Sequence, residues 1–68
     1  LVANILSGIL IDMVDQLTAL VRPGGRIALS GIMEEQAGAV VAAYEPAIAF
    51  ERPRFQDGWA LLAGTRRS

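Results

Sequence analysis

The apolar residues of this 68-residue chain switch repeatedly between two spacings, and that alternation constrains the fold more than any other feature. Residues 1–5, LVANI, form a short, mostly apolar run of the kind that fits a fully buried strand. From residue 9 to 21 the spacing becomes three and four. Leu10, Met13, Val14, Leu17, Leu20 and Val21 draw one stripe on a helix, with Asp12, Asp15, Gln16 and Thr18 on the other side. Ser7, followed by Gly8, offers an N-cap. Arg22 closes the segment in the sense that the helix dipole favours, and Pro23-Gly24-Gly25 turns the chain. Residues 26–30, RIALS, then read as a second strand bounded by glycines.

The pattern repeats. Gly31 and Ile32 read as a brief connection, and residues 33–44 return to helical spacing through Met33, Ala37, Val40, Val41 and Tyr44. Glu34 and Glu35 occupy the first turn, where carboxylates are favourable. Gly38 costs that helix about 1 kcal/mol relative to Ala. Glu45-Pro46 ends it, because the residue before proline is pushed out of the helical region. Residues 47–51 read as a third strand, 52–58 as a polar loop, 59–65 (WALLAGT) as a last strand and 66–68 as a solvated tail. Strands separated by helices are expected to run parallel with right-handed crossovers, and the last two to pair antiparallel. The expected architecture is half of an open α/β sheet: three parallel strands, two helices and a closing antiparallel hairpin strand.

Composition narrows the chemistry. The chain is 53% apolar, more apolar surface than so few residues easily cover, which argues against disorder. No stretch of about 18 apolar residues is free of charge, so no membrane span is expected. The apolar runs are interrupted by Asp12, Asp15 and Arg22. Without Cys or His the chain has no disulfide, no thiolate zinc site and no Ser-His-Asp triad, and no metal site is expected. A net charge of −1 gives no electrostatic footprint for direct nucleic-acid contact. The chain opens Leu-Val-Ala-Asn, inside an apolar run and without a charged leader. The expectation is a piece of a larger domain whose remainder covers the surplus apolar surface.

In open α/β sheets, ligands bind outside the carboxyl ends of the parallel strands, which singles out residues 4–8 and 30–32. Asn4 is the most informative of these. An amide near the end of a buried strand needs partners, because leaving it unpaired costs about 1–3 kcal/mol. It either stitches neighbouring backbone or accepts a hydrogen bond from a substrate amine or a cofactor. Ser7-Gly8 and Ser30-Gly31 are explained by turns, and Pro23-Gly24-Gly25 follows a helix and so lacks the phosphate-loop arrangement. Trp59 reads as core or hairpin packing, and Arg52, Arg54, Arg66 and Arg67 as solvated surface.

Four segments carry a resemblance: VANIL (2–6), LTALVRPGGRIALSGI (17–32), EEQ (34–36) and DGWALLAG (57–64). On these residues the chain resembles the C-terminal half of class I S-adenosylmethionine-dependent methyltransferases. More narrowly, it resembles the bacterial methyltransferases of protein eleven of the large ribosomal subunit. LVRPGGR is widespread in the superfamily, whereas ANIL with SGI…EEQ is narrower. The resemblance implies a Rossmann-like, seven-stranded sheet of which these are the fourth to seventh strands, the last one antiparallel between two others. It implies that residues 1–68 are the C-terminal part of the catalytic domain. The cofactor's glycine loop, the acid that holds its ribose and an N-terminal substrate domain would then lie upstream.

The same resemblance implies S-adenosyl-L-methionine as cofactor, lysine and α-amino groups of a ribosomal large-subunit protein as substrate, and a cytoplasmic location. Asn4 matches the asparagine of the family's Asn-Ile-Leu motif, which implies a catalytic and cofactor-contacting role, and Leu6 would pack near the cofactor. Ile5 and Leu6 stand where methyltransferases of nucleic-acid amino groups carry prolines, which argues for an aliphatic amine. The segment on its own is expected to be inactive. The alternatives are a class I methyltransferase acting on a small molecule or RNA, and a non-catalytic, self-associating fragment.

Overall fold

Two eight-residue strands form the spine of the molecule in the computed structural model, which describes residues 1–4 and 6–67. The elements are β1 (Val2–Asn4), α1 (Ser7–Asp12), α2 (Val14–Ala19), β2 (Arg26–Met33), a 3-10 turn (Glu34–Gln36), α3 (Ala37–Tyr44), β3 (Ile48–Phe50), β4 (Arg54–Gln56) and β5 (Trp59–Arg66). β2 and β5 pair antiparallel, β1 lies parallel to β2, and β3 and β4 both pair antiparallel with β5. The order is β1-β2-β5-β3, with β4 also on β5. Only β1 and β2 are therefore adjacent parallel strands. β3 shares their direction, and β5 lies antiparallel between it and β2, the order expected for the last strand.

Burial alternates along both long strands. Ile27, Leu29, Ile32, Ala60 and Leu62 face a core completed by Leu10, Leu17, Val21, Val40, Tyr44 and Ile48. The helices pack on this one face. Burying each large aliphatic side chain contributes about 1.5–3 kcal/mol. On the other face Val2, Asn4 and Leu61 are exposed and Ala28, Ser30 and Ala63 half-buried. β1 is thus buried on one side only, at Ala3, where the sequence pattern read as a fully buried strand.

Other departures have local causes. The helix over 9–21 begins earlier, at Ser7, and is bent at Met13. The Tyr44 hydroxyl donates to the Leu10 carbonyl at 2.6 Å, the oxygen that the Val14 N–H would take in an unbroken helix. Leu20 falls beyond α2 and is exposed. β2 continues through Gly31 and Ile32 to Met33 by way of a register shift between Leu29 and Ile32, with Gly31 at φ +76°. The helix over 33–44 starts as a 3-10 turn. The loop over 52–58 contains β4, joined to β5 through Asp57 (φ +53°) and Gly58 (φ +81°), the two positive values of a tight hairpin turn. The tail is tied down as well. Arg66 belongs to β5 and its guanidinium donates to the Val21 carbonyl, while Arg67 donates to the Glu45 carbonyl at 3.0 Å. Ile5 and Ser68, parts of the first strand and the tail as read from sequence, lie outside the described residues.

Candidate functional site

The carboxyl ends of β1 and β2 come together as the topology requires. Asn4 closes β1 and is the register partner of Ser30 across the parallel ladder. Partners in such a ladder point their side chains to the same side, and here that is the side without helices. Asn4 is exposed, not buried, and its amide takes part in none of the side-chain hydrogen bonds among the described residues. Neither the burial argument nor the stitch reading draws support from a contact of Asn4 among the described residues. What remains is an amide presented at the end of a parallel strand.

Leu6 follows, also exposed, at the mouth of a groove of about 400 Å³. The groove lies between the start of α1, with Ser7, Gly8, Ile9 and Asp12, and the rim formed by Gly31, Met33, Gln36 and Trp59. Ser7 is not a cap. Leu6 holds the N-cap position with no side-chain hydrogen bond, and the buried Ser7 hydroxyl donates to the Gln36 side-chain carbonyl. This contact joins the segment after Asn4 to the turn after β2. Gln36 enters the sequence reading only as part of EEQ, with no contact assigned to it, since its partner lies 29 positions away.

A second depression of about 380 Å³ shares Gly31 and Trp59 with the first and adds Ser30, Arg54, Phe55 and Leu61. Trp59 is neither core nor fully covered by its hairpin. It is half exposed, paired with Gln56 on β4 and Met33 on β2. Asp12 supplies a carboxylate to the groove, and no basic side chain among the described residues lines it. At the other end of β2, Arg26 and Glu51 form an exposed ion pair at 2.8 Å, and the guanidinium holds the Glu51 carboxyl below its usual range. No group of three or more metal-ligating side chains occurs among the described residues. The groove thus offers one carboxylate, Asp12, and the Asn4 amide lies outside its lining, on the helix-free face at the end of β1.

A family model described as Ribosomal protein L11 methyltransferase (PrmA) matches residues 1–67. The chain belongs to the ribosomal protein L11 methyltransferase family. It is 57% identical over 67 residues to the ribosomal protein L11 methyltransferase of Alkalilimnicola ehrlichii, covering 98% of this chain and 23% of that protein. It is 56% identical over 66 residues to that of Azotobacter vinelandii, covering 97% of this chain and 23% of that one. The crystal structure of the ribosomal protein L11 methylase from Lactobacillus delbrueckii subsp. bulgaricus superposes with a TM-score of 0.85 at 31% identity. That match covers 98% of this chain and 35% of the solved one. The chain thus spans about a quarter of the length of the curated L11 methyltransferases it matches. The family resemblance read from VANIL, LVRPGGR and SGI…EEQ is borne out, as is a mixed α/β sheet with helices.

Proposed function

We propose that residues 1–68 are the C-terminal part of the catalytic domain of an S-adenosyl-L-methionine-dependent methyltransferase that acts on lysine and α-amino groups of ribosomal protein L11 in the cytoplasm. In this reading the sheet is the later half of a Rossmann-like sheet, and preceding chain supplies the glycine loop and the substrate domain. The observation that carries it is the place of Asn4: an exposed amide at the carboxyl end of a parallel strand, in a chain of this family.

The groove's charge suits a cationic sulfonium: the Asp12 carboxylate lines it and no basic group among the described residues does, while the Asn4 amide stands outside its lining, at the end of β1. When bound, S-adenosyl-L-methionine supplies a methyl group activated for in-line attack. The chain's own contribution is positioning. A lysine amine has a reference pKa near 10.4 and attacks only when neutral. The Asn4 carbonyl oxygen accepts one amine N–H and leaves the lone pair directed at the reacting centre. Leu6 adds apolar surface that excludes water. No strong base is required of these residues, which agrees with a chain that has no His or Cys.

The test uses the longer protein that carries this chain, S-adenosyl-L-methionine with an isotopically labelled methyl group, and L11. Label on lysine or α-amino groups of L11 supports the proposal. Label that goes only to RNA or to a small molecule overturns the substrate assignment.

A further inference from the structure

The segment that carries Asn4 is held at few points. β1 has three residues, and its ladder with β2 ends at the Asn4–Ser30 register. α1 follows at Ser7 and buries two residues, Ser7 and Leu10. Leu10 is fixed by core packing and by the Tyr44 hydroxyl on its carbonyl. Ser7 is fixed by a polar contact instead. Its buried hydroxyl donates to the Gln36 side-chain carbonyl. Among the described residues this is the only side-chain hydrogen bond made by residues 1–9.

Gln36 stands on a firmer element. It ends the 3-10 turn that follows β2, and that turn is flanked by the buried Ile32 and Ala37. The Glu34 N–H donates to the Gly58 carbonyl at 2.8 Å, which ties the same turn to the hairpin of β4 and β5. The Ser7–Gln36 bond therefore bridges the two adjacent strand ends, from the segment after β1 to the turn after β2. Asn4 is thus flanked by two fixed points, the strand ladder and, three residues on, Ser7.

We propose that Gln36 is a positioning residue for methyl transfer, which acts through Ser7 to set the place of the Asn4 amide. The inference rests on the role given to Asn4 above and adds the residue that acts through it; Gln36 itself touches neither substrate nor cofactor. In-line transfer tolerates little misplacement, and a shift of about 1 Å can cost roughly a hundredfold in rate. Loss of the bond loosens the segment but leaves the Asn4 amide in the chain, so a smaller effect of about tenfold follows.

The test is single-turnover methyl transfer to L11 by the longer protein, with affinities for S-adenosyl-L-methionine and L11 measured alongside. Gln36→Leu and Ser7→Ala are each expected to slow transfer about tenfold, with both affinities within about twofold of the parent. Gln36→Glu keeps an acceptor oxygen at an exposed position and recovers most of the rate. Ser7→Ala leaves no buried hydroxyl unpaired, so it reads the effect even where Gln36→Leu folds poorly. The comparison that separates positioning from general loosening repeats Ser7→Ala with Asn4→Ala already in place. There it is expected to slow transfer by less than about twofold further, because the group it positions is gone. Equal slowing in both backgrounds would overturn the inference. If Ser7→Ala and Gln36→Leu transfer at the parent rate while Asn4→Ala is slow, Gln36 has no positioning role and the methyltransferase reading stands. If the parent transfers no methyl to L11, or Asn4→Ala matches the parent, the role of Asn4 falls and this inference with it.

Discussion

The hydroxyl of Tyr44, at the end of α3, donates to the backbone carbonyl of Leu10, in the last turn of α1, at 2.6 Å, and both residues are fully buried. One side chain thereby joins the first helical segment, interrupted at Met13, to the third helix. Tyr44→Phe is expected to cost about 0.5–1.5 kcal/mol, at the low end if the freed Leu10 carbonyl takes up the Val14 N–H. Denaturant unfolding of parent and variant measures it.

The same residue gives the stability a pH dependence. Burial pushes the Tyr44 phenol above its ordinary value. The folded state then holds its proton where the unfolded state has lost it. The contribution is present in full below about pH 10 and is lost as pH rises through the raised value. Alkaline unfolding curves of parent and Tyr44→Phe are expected to converge there; curves that stay parallel would remove Tyr44 from the account.

Gly64 faces β3 too closely for any side chain. A Cβ there would lie 2.6 Å from the Ala49 carbonyl oxygen and 2.8 Å from Ile48 Cγ2. Gly64→Ala is expected to destabilise by about 1–3 kcal/mol, because backbone must move apart. Thermal unfolding reads this, and an unchanged midpoint would mean that β3 does not sit against β5 as described.

The Ser7–Gln36 contact is asymmetric, since Ser7 is buried and Gln36 exposed. Gln36→Leu strands a buried hydroxyl and is expected to cost about 1–3 kcal/mol, whereas Ser7→Ala removes the hydroxyl and costs less. Adding Ser7→Ala to Gln36→Leu should recover part of the loss. A double variant as unstable as the sum of the single ones would contradict a direct contact.

The helix-free face of the sheet, with Val2 and Leu61 exposed, and the outer edge of β1 are apolar and unpaired among the described residues. In isolation the 68-residue chain is expected to self-associate through them, and Leu61→Glu to shift it toward monomer. Sedimentation velocity over a concentration series checks this; a monomer throughout would count against it.

Much of the fold was legible from the spacing of apolar residues. The strand-helix-strand order, the turn at Pro23-Gly24-Gly25 and the antiparallel pairing of β3 with β5 all follow from it. The parts that were not legible are those where one residue shifts a pattern or a partner is distant. Gly31 reads as a connection because a one-residue register shift has no signature in spacing. β4 is hidden in a polar stretch, although Asp57-Gly58 is a strong turn signal. Asn4 is legible as a strand-end residue, whereas its exposure is not. Apolar flanks look the same whether a strand is covered on one face or on two, and here Val2 and Asn4 share the uncovered one.

Asn4 remains the residue on which the functional account turns. The most direct test is single-turnover methyl transfer to L11 by the longer protein carrying Asn4→Ala, with S-adenosyl-L-methionine binding measured alongside. The account predicts that transfer slows about a hundredfold or more while both ligands still bind, because the substitution removes the group that orients the amine. Transfer at the parent rate, with cofactor and L11 bound as before, would contradict it.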